Sequence, residues 1–599
     1  MRTKSCWLGE IVIKKALPDS SWVESLAEAD CILTRLLCTI HVSLPRLTRS
    51  TVPVNPRGCL HEFRTQLPVQ HRHLSLSNVA QKRATLESTL VALVCVAIAL
   101  ALTIPALNLI PGRDAGIFLY IGQGILDGEV PYRDGFDQKP PLIHFTYALG
   151  LLVSSGAFWG PWLLELIAIA LAGWLSVRFF EPLHGRLVAW AVTLIWMLSL
   201  ANLMARGGYT ELFTLPLQIG ALMLYLRWRE DRESRRWAFI LGALAATAFL
   251  YRQNHLGIFA AVFLMTVLRE GGWRRPGFLL RSTLWATLGG LTMCLPVAIY
   301  FTAHQAWGEL FDATFYYNFL YVGIPQSDRW QAVIFGIERI PWSYAMWGVW
   351  AGLGLCVLAR RLRIGGPRRA LVDLALIAMP LEYYLSSASS KRYPHYFILC
   401  IPVLAILLAE LLGVSRRLPE RFAWRKQVGL ALLIVLVAGA LGSLNFNKLT
   451  RRYAIMNDPA TDRDYRECID FVRANTTPDD TVLVWGADPV ILAAAERRSP
   501  TRFIYLYPLM AIGFHTDQVA TEFVDAVCNN PPAMIVDSGH GWFMDLAAER
   551  RVPVALPDRV EARSLGSMSP NIEAFFEQLD REYRLSASFG EVDVFVRDE

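Results

Sequence analysis

Residues 87–109 read ESTLVALVCVAIALALTIPALNL, and Glu87 is the only charged residue among them. A helix of about 20 apolar residues is long enough to cross a bilayer. The rest of the chain has a similar character, because 54% of its 599 residues are hydrophobic and only 18% are charged. Soluble proteins carry roughly 25% charged residues. The composition therefore excludes soluble, disordered, collagenous and disulfide-scaffold proteins, and it predicts a polytopic membrane protein.

Ten further apolar runs follow the first one. They lie near 161–180, 186–204, 209–228, 237–251, 254–268, 279–301, 333–359, 371–387, 394–412 and 427–445. The sequence thus predicts an all-α membrane domain of about 11 transmembrane helices over residues 87–445. The run 142–157 is shorter and contains a histidine, and we interpret it as a helix that lies at the outer surface.

Basic residues are distributed unevenly among the loops. The loops near 178–186, 227–236, 269–281, 360–369 and 416–426 hold 21 Lys and Arg residues, and the loops that alternate with them hold 5. Basic loops stay in the cytoplasm. If 142–157 does not cross the membrane, the chain has eleven spans and every basic loop lies on the cytoplasmic side. The N-terminus is then cytoplasmic and residues 446–599 are extracytoplasmic, most simply in a bacterial-type plasma membrane.

The two ends of the chain differ in pattern. Residues 1–86 show scattered Pro, Ser, Arg and His without periodicity, and we interpret them as a disordered or mis-assigned extension. Residues 446–599 predict a small α/β domain, because strand-like runs alternate with helix signals. Helices are expected after Asp458-Pro459 and Asp488-Pro489, and strands at 481–485, 533–538 and in a hairpin over 587–597. No segment is typical of a nucleic-acid binder.

The loop 111–145 reads PGRDAGIFLYIGQGILDGEVPYRDGFDQKPPLIHF and holds most of the candidate chemistry. Asp114 comes first, and apolar residues follow it at helical spacing. This predicts an amphipathic helix lying on the membrane surface with a carboxylate at its start. A second helix is expected after Lys139-Pro140-Pro141. Asp134 and Asp137 are expected to be solvated.

This loop resembles the first outer loop of the C-fold (GT-C) glycosyltransferases of family 39. That family includes dolichyl-phosphate-mannose protein mannosyltransferases and bacterial aminoarabinose-lipid A transferases. The matching residues are the acid after the first span, Tyr120, Gly128, Pro131-Tyr132 and Lys139-Pro140-Pro141-Leu142. The resemblance continues with Glu211 at the start of the fourth span and with Ser390-Lys391-Arg392-Tyr393-Pro394-His395-Tyr396 before the tenth.

The resemblance implies transfer of a sugar, with inversion, from a polyprenyl-phosphate donor to a hydroxyl of a lipid, glycan or protein on the extracytoplasmic face. Asp114 would be the general base, which takes the proton of the acceptor. Cations would meet the phosphate of the leaving group. The expected substrate-binding residues are Lys139, Arg206, Glu211, Arg252, Lys391, Arg392, His395 and Tyr396, and weaker candidates are Asn254, Asn318 and Tyr321.

One departure from the family concerns a metal. Family members often carry an Asp-Glu pair where this chain has Asp114-Ala115, so the sequence supports a divalent Mg²⁺ or Mn²⁺ ion less well here.

Two other functions remain open. One is a transporter or lipid-carrier flippase, and the other is a membrane-anchored binding protein that acts through its tail. Convergence of Asp114, Lys139, Glu211 and Arg392 on one outer cavity would favour the enzyme, and their dispersal would favour the alternatives.

Overall fold

The computed structural model describes residues 69–269, 271–322, 326–360, 364–413, 447–511, 513–539, 545–547 and 569–598. The chain divides into two compact units, 1–80 and 81–599. Of the first unit only residues 69–80 are described, and they are helical. Everything that follows concerns the second unit, apart from the beginning of the first helix.

The membrane part is almost entirely helical. Its first eight helices are α1 (Val69–Asn108), α2 (Arg113–Leu126), α3 (Leu142–Val153), α4 (Trp159–His184), α5 (Arg186–Ser199), α6 (Thr210–Glu230), α7 (Arg235–Tyr251) and α8 (Gly257–Leu268). The next seven are α9 (Pro276–Ala303), α10 (Trp307–Phe311), α11 (Tyr317–Val322), α12 (Gln326–Arg339), α13 (Ser343–Leu358), α14 (Gly366–Ser386) and α15 (Ile401–Gly413). A π-helical turn, Asp312–Tyr316, joins α10 to α11, and a 3₁₀ segment, Pro394–Cys400, precedes α15.

Four helical segments of the described chain are long and apolar enough to cross a membrane. They are Thr85–Asn108, Trp159–His184, Pro276–Ala303 and Pro394–Gly413. Shorter apolar helices add to them, but the count of about 11 stays a prediction. The eleventh predicted span, 427–445, lies outside the described residues.

Two boundaries differ from the sequence-based expectation. Helix α1 begins at Val69, inside the extension 1–86 for which no fold was expected. Once a helix is nucleated, each further residue adds one hydrogen bond, so the apolar span extends readily into the good helix formers before it. The predicted span 333–359 is two helices, α12 and α13, which are separated at Pro341. Proline disfavours the helical conformation of the residue before it and donates no N–H.

The contacts of α1 and α4 fix the course of the chain between them. Trp162, near the start of α4, donates to the carbonyl of Thr103 near the end of α1 (2.9 Å). Trp174, further along α4, lies 3.3 Å from the hydroxyl of Ser88 near the start of the apolar span. The two helices are therefore antiparallel, and α3 begins and ends at the same end of the bundle. This supports the interpretation of 142–157 as a segment that does not cross.

Ion pairs at the opposite end of the bundle join residues of the basic loops to one another or to the neighbouring helix ends. The pairs are Arg186–Glu87, Arg281–Glu233, Arg269–Asp373 and Arg368–Glu410. Loops that were predicted to share one side of the membrane thus lie together. Which side that is remains a prediction.

Close helix packing in the bundle depends on two glycines. A Cβ atom at Gly242 of α7 would lie 1.8 Å from the carbonyl oxygen of Ala286, and one at Gly289 of α9 would lie 1.9 Å from that of Phe239. Any larger residue would force the two backbones apart. Small residues are the usual means by which membrane helices approach closely.

The tail is a small α/β unit, as predicted. Its helices are α16 (Arg463–Ala474), α17 (Val490–Ala495), α18 (Tyr507–Met510), α19 (Thr516–Asn529) and α20 (Glu573–Glu582). Its strands are β1 (Val482–Trp485), β2 (Met534–Asp537), β3 (Tyr583–Phe589) and β4 (Val592–Arg597). The sheet has the order β1-β2-β4-β3, in which β1 and β2 are parallel and the other pairs are antiparallel.

The helix expected after Asp458-Pro459 begins later than predicted. It starts at Arg463 and not at Asp458-Pro459, because Asp462 adopts a left-handed conformation with φ 59°. The carboxylate of Asp462 accepts a hydrogen bond from the backbone N–H of Ile110 (2.8 Å) and pairs with Arg206 (2.6 Å). These contacts hold the tail against the segment that precedes α2.

Helix α2, which the sequence predicted to lie on the membrane surface, is largely enclosed by protein. Most of its residues from Ala115 to Gly124 are buried, because the tail covers the face that points away from the bundle. Gln123 donates to the carbonyl of Ala493 (3.1 Å), and the hydroxyl of Tyr120 accepts from the backbone of Ser499 (2.9 Å). The amphipathic pattern of α2 predicted one buried face, and it did not predict the second interface, which α2 forms with the tail.

Candidate functional site

A cavity of about 470 Å³ lies where the start of α2 meets residues 137–139, 205–209, 391–396 and the tail. Its wall is rich in charge and in phenol groups. The charged residues are Arg113, Asp114, Asp137, Lys139 and Lys391, and the tyrosines are Tyr209, Tyr317, Tyr321, Tyr393, Tyr396, Tyr505 and Tyr507.

Asp114 reaches this cavity from the first turn of α2. The helix begins after Gly112, whose backbone is extended and whose carbonyl accepts the first helical hydrogen bond, from Gly116 (2.8 Å). The positive end of the helix dipole lies at this turn and stabilises a carboxylate there. The side chain of Asp114 remains 26% exposed, so a substrate in the cavity has access to it.

Two side chains approach the carboxylate of Asp114. Its Oδ1 lies 3.2 Å from the ammonium of Lys139, and its Oδ2 lies 3.7 Å from Nε2 of His395. The ring of His395 is stacked on that of Tyr209 at 3.9 Å, which fixes its orientation. Burial raises the pKa of Asp114, but Lys139, His395 and Arg252 lower it by more, so the pKa lies below its usual value. Asp114 is therefore ionised near neutral pH.

Lys139 lies between two carboxylates. Its Nζ is 3.2 Å from Asp114 and 3.8 Å from Asp137, and its side chain is only 6% exposed. The ammonium also lies 4.8 Å from the centre of the Phe118 ring. Burial lowers the pKa of Lys139, but Asp114 and Asp137 raise it by more, so it lies above its usual value. Lys139 is therefore a charged member of the site.

Asp137 is buried, and the expectation that it is solvated is wrong. Its side chain is 1% exposed. One oxygen lies 2.9 Å from Nε2 of His144 in α3, and the other lies 3.4 Å from the hydroxyl of Tyr505 in the tail. Burial of a carboxylate is tolerated when hydrogen bonds and a cation compensate it. Asp134 stays partly exposed and pairs with Arg133 (2.8 Å).

Glu211 and Arg252 form a buried pair beside the cavity. Arg252 Nη1 lies 2.7 Å from Glu211 Oε1, and the two side chains are 11% and 2% exposed respectively. The guanidinium also lies 4.0 Å from the centre of the Tyr396 ring, and Tyr396 lines the cavity. His255 lies 3.7 Å from the same carboxylate. The Tyr396 ring therefore connects the Arg252–Glu211 pair to the cavity.

Lys391 lines the cavity from the segment before α15. Lys391 is 4% exposed, and its ammonium lies 5.4 Å from the centre of the Tyr321 ring. Tyr321 separates this cavity from a second one of about 700 Å³, whose lining includes Arg252, Asn254 and Asn318. Asn254, Asn318 and Tyr321, the weaker substrate-binding candidates from the sequence, therefore line this second cavity.

Three predicted substrate-binding residues lie outside the lining of both cavities. Glu211 is one of them, because it pairs with Arg252 beside the cavity. Arg206 makes a double contact with Asp462 (2.6 and 2.8 Å) and donates to the carbonyl of Ile110 (2.7 Å), so it holds the tail to the bundle. Arg392 is exposed and donates to Gln331 in α12. All three side chains are directed to protein partners.

The sequence did not identify the contribution of the tail. Tyr505 and Tyr507 enter the cavity from the segment between α17 and α19, and Arg113 donates to the hydroxyl of Tyr507 (2.6 Å). Arg113 could have been predicted as a site residue, because it directly precedes Asp114 in the sequence. Tyr505 and Tyr507 lie in the alternating run FIYLYP. This pattern does not indicate which distant element the run contacts, so it could not place them in the cavity.

The carboxylates of the cavity pair with basic side chains. Among the described residues, no group of three or more His, Cys, Asp and Glu side chains is arranged to hold a metal. The ammonium of Lys139 occupies the position between Asp114 and Asp137 that a cation bridging them would take.

Several solved structures are similar to the chain. ArnT from Cupriavidus metallidurans, bound to undecaprenyl phosphate, is similar with 16% identity and a TM-score of 0.48 over 85% of this chain and 97% of that chain. The oligosaccharyltransferase AglB from Archaeoglobus fulgidus, in complex with an inhibitory peptide and a dolichol-phosphate, is similar with 12% identity and a TM-score of 0.47 over 83% and 79%.

No curated protein matches the chain. A family model does, and it covers residues 70–437, which include α1 to α15 and the outer loop with Asp114. The chain therefore belongs to the family described as the putative competence-induced protein Ccs4 N-terminal domain.

Proposed function

We propose that this chain is a membrane glycosyltransferase. It moves a sugar from a polyprenyl-phosphate donor to an acceptor hydroxyl on the extracytoplasmic face, with inversion, and Asp114 acts as the general base. The observation that carries the proposal is the convergence of Asp114, Lys139, Lys391, His395 and Tyr396 on one cavity. Of the four residues chosen for this test, Asp114 and Lys139 line the cavity, Glu211 pairs with Arg252 beside it, and Arg392 is exposed and faces α12. The clustering of Asp114 and Lys139 supports an enzyme over a transporter or an anchored binding protein.

Asp114 has the properties that a base requires. It is ionised, partly exposed and fixed by a helix start, so an acceptor hydroxyl in the cavity can reach it. The hydroxyl oxygen attacks the anomeric carbon from the face opposite the phosphate, and the hydroxyl proton passes to Asp114. The bond from the anomeric carbon to the phosphate oxygen breaks, and its electron pair leaves with the lipid phosphate.

The cations of the cavity support the second half of this step. The leaving phosphate gains negative charge, and fixed positive groups stabilise such charge without reorganisation. Lys391 suits this role, because it is buried in the cavity wall and its ammonium lies 5.4 Å from the centre of the Tyr321 ring. Arg113, on the other side of Asp114, is a second candidate.

Loop charge supports the side on which the reaction takes place. The basic loops lie together at one end of the bundle, and the cavity lies at the other end with the tail. If the basic end is cytoplasmic, the cavity and the tail are extracytoplasmic.

The test is transfer from a purified lipid-linked sugar donor by the full-length protein. Asp114→Asn keeps the size of the side chain and removes the proton acceptor, and we expect kcat to fall about 10²-fold or more. Asp127→Asn is the matched control. Asp127 caps the other end of α2, its side chain is 67% exposed, and it lies outside the cavity.

The control should transfer at the wild-type rate. Near-normal turnover of Asp114→Asn with every available donor would show that Asp114 is not the base.

A further inference from the structure

A buried chain of hydrogen bonds and ion pairs lies behind Asp114. It runs from His144 to Asp137 (2.9 Å), from Asp137 to Lys139 (3.8 Å) and from Lys139 to Asp114 (3.2 Å). The first three side chains are between 0% and 6% exposed. Only Asp114 is open to the cavity to a larger extent.

Asp137 is held rigidly by three different elements. His144 contacts it from α3, Tyr505 contacts it from the tail, and the backbone N–H of Gln138 donates to it (2.8 Å). The His144 ring is itself fixed, because it packs edge-on against Phe118 (5.9 Å) and Tyr132 (5.7 Å). Its Nδ1 has no hydrogen-bond partner among the described residues, which indicates that Nε2 carries the proton and donates it to Asp137.

A buried charge needs a counterion in every state of a reaction. When Asp114 accepts the acceptor's proton it becomes neutral, and Lys139 loses one of its two anionic partners. Without another carboxylate, the ammonium would remain buried and unpaired at that moment. Asp137 is the carboxylate that remains.

We propose that Asp137 is a positioning residue, held by His144, that keeps Lys139 charged and in place before and after proton transfer to Asp114. The inference rests on the proposed role of Asp114 as the base. No bond forms or breaks at Asp137. Its effect passes through Lys139 to the reacting carboxylate.

The first experiment measures Lys139 without relying on transfer. Competitive acetylation with acetic anhydride, read by peptide mass spectrometry across pH, reports the pKa of each lysine in the folded protein. The charged or titratable groups that face Lys139 are Asp114, Asp137, Arg252, His395 and Tyr396. Asp137→Asn keeps the shape and removes one anion, and at pH 8 we expect Lys139 to react about tenfold faster, which corresponds to one pKa unit.

Matched controls are available in the same chain. Asp134→Asn removes an exposed carboxylate of the same loop, and it should leave the Lys139 rate unchanged. The exposed Lys448 is the internal reference in every sample. If Asp137→Asn does not insert into the membrane, His144→Leu replaces it, because this variant keeps all three charges and removes the hydrogen bond that supports Asp137. It should change the Lys139 rate in the same direction by less.

The second experiment is a double-mutant cycle in transfer. Asp137→Asn should lower kcat about tenfold with little change in the donor KM, and it should shift the alkaline limb of the kcat/KM profile to lower pH. In a Lys139→Met background the same change should have no further effect on kcat, since the residue acts through Lys139.

Two results would overturn the inference. One is a wild-type acetylation rate of Lys139 in Asp137→Asn, or in His144→Leu where that variant is used. The other is full additivity of the two substitutions in kcat. If the wild-type protein transferred no sugar from any donor, the proposed function would fail, and the acetylation result would still decide whether Asp137 controls Lys139.

Discussion

Replacing Gly116 by alanine should separate the tail from the helix that carries Asp114. A Cβ atom at Gly116 would lie 2.7 Å from Cβ, 2.8 Å from the backbone nitrogen and 3.0 Å from Cα of Val490, the first residue of α17. Carbon atoms in contact are normally about 3.5–4.0 Å apart. The two backbones must therefore move apart by roughly 1 Å.

The size of the effect follows from this displacement. Overpacking of this kind costs about 1–3 kcal/mol, and alanine recovers about 0.5–1 kcal/mol because it favours a helix more than glycine does. We expect a net loss of stability of about 1 kcal/mol. Gly116 lies two residues after Asp114, and a displacement of about 1 Å at a reacting group can lower the rate 10²-fold. The turnover should therefore fall more than the stability suggests.

The assay pairs two measurements on the purified protein, the transfer rate from a lipid-linked donor and the thermal unfolding midpoint. Gly348→Ala is the matched control, because Gly348 lies within α13 and nothing lies within 4 Å of its Cβ position. Trimming Val490 to alanine should not restore Gly116→Ala, since two of the three close atoms belong to the backbone. Wild-type turnover and stability of Gly116→Ala would refute the reasoning.

Three further predictions follow. A reporter fused after Asn447 should be extracytoplasmic and one after Arg232 cytoplasmic; a cytoplasmic signal after Asn447 would show that the predicted topology is wrong. Lys391→Ala should lower kcat/KM for the donor about tenfold or more, as expected for loss of a charged contact, whereas Arg392→Ala should change it little, because that side chain faces α12; equal losses would contradict the assigned positions. Deleting residues 1–68 should leave membrane insertion and transfer intact, and insertion without transfer would assign that segment a role.

Hydropathy and charge predicted much of the architecture. The helices α1, α4 and α9 agree with long apolar runs, and the α/β tail agrees with alternating strand and helix signals. The division of 333–359 at Pro341 was missed, although proline is a strong local signal, because the apolar character continues on both sides of it.

The site was predictable only where its residues are close in sequence or match a family pattern. Asp114 and Lys139 were found in this way. Asp137 was misjudged, because a carboxylate in a polar loop is usually solvated and its burial depends on His144 and Tyr505. The charge of Arg206 was recognised, but its partner Asp462 is 256 residues away, and no local pattern reports such a contact.

The contacts between α2 and the tail have a consequence for how the protein is made. The hydrogen bonds from Gln123 to Ala493 and from Ser499 to Tyr120 join residues that are 370 and 379 positions apart. The ribosome therefore releases the segment with Asp114 long before the residues that enclose it exist. A nascent chain carries its carboxylate in an open groove, and the enclosed chamber forms only when the tail has been synthesised and has reached the same side of the membrane. Loss of the tail by proteolysis would expose the face of α2 that the tail covers and reopen the cavity beside Asp114.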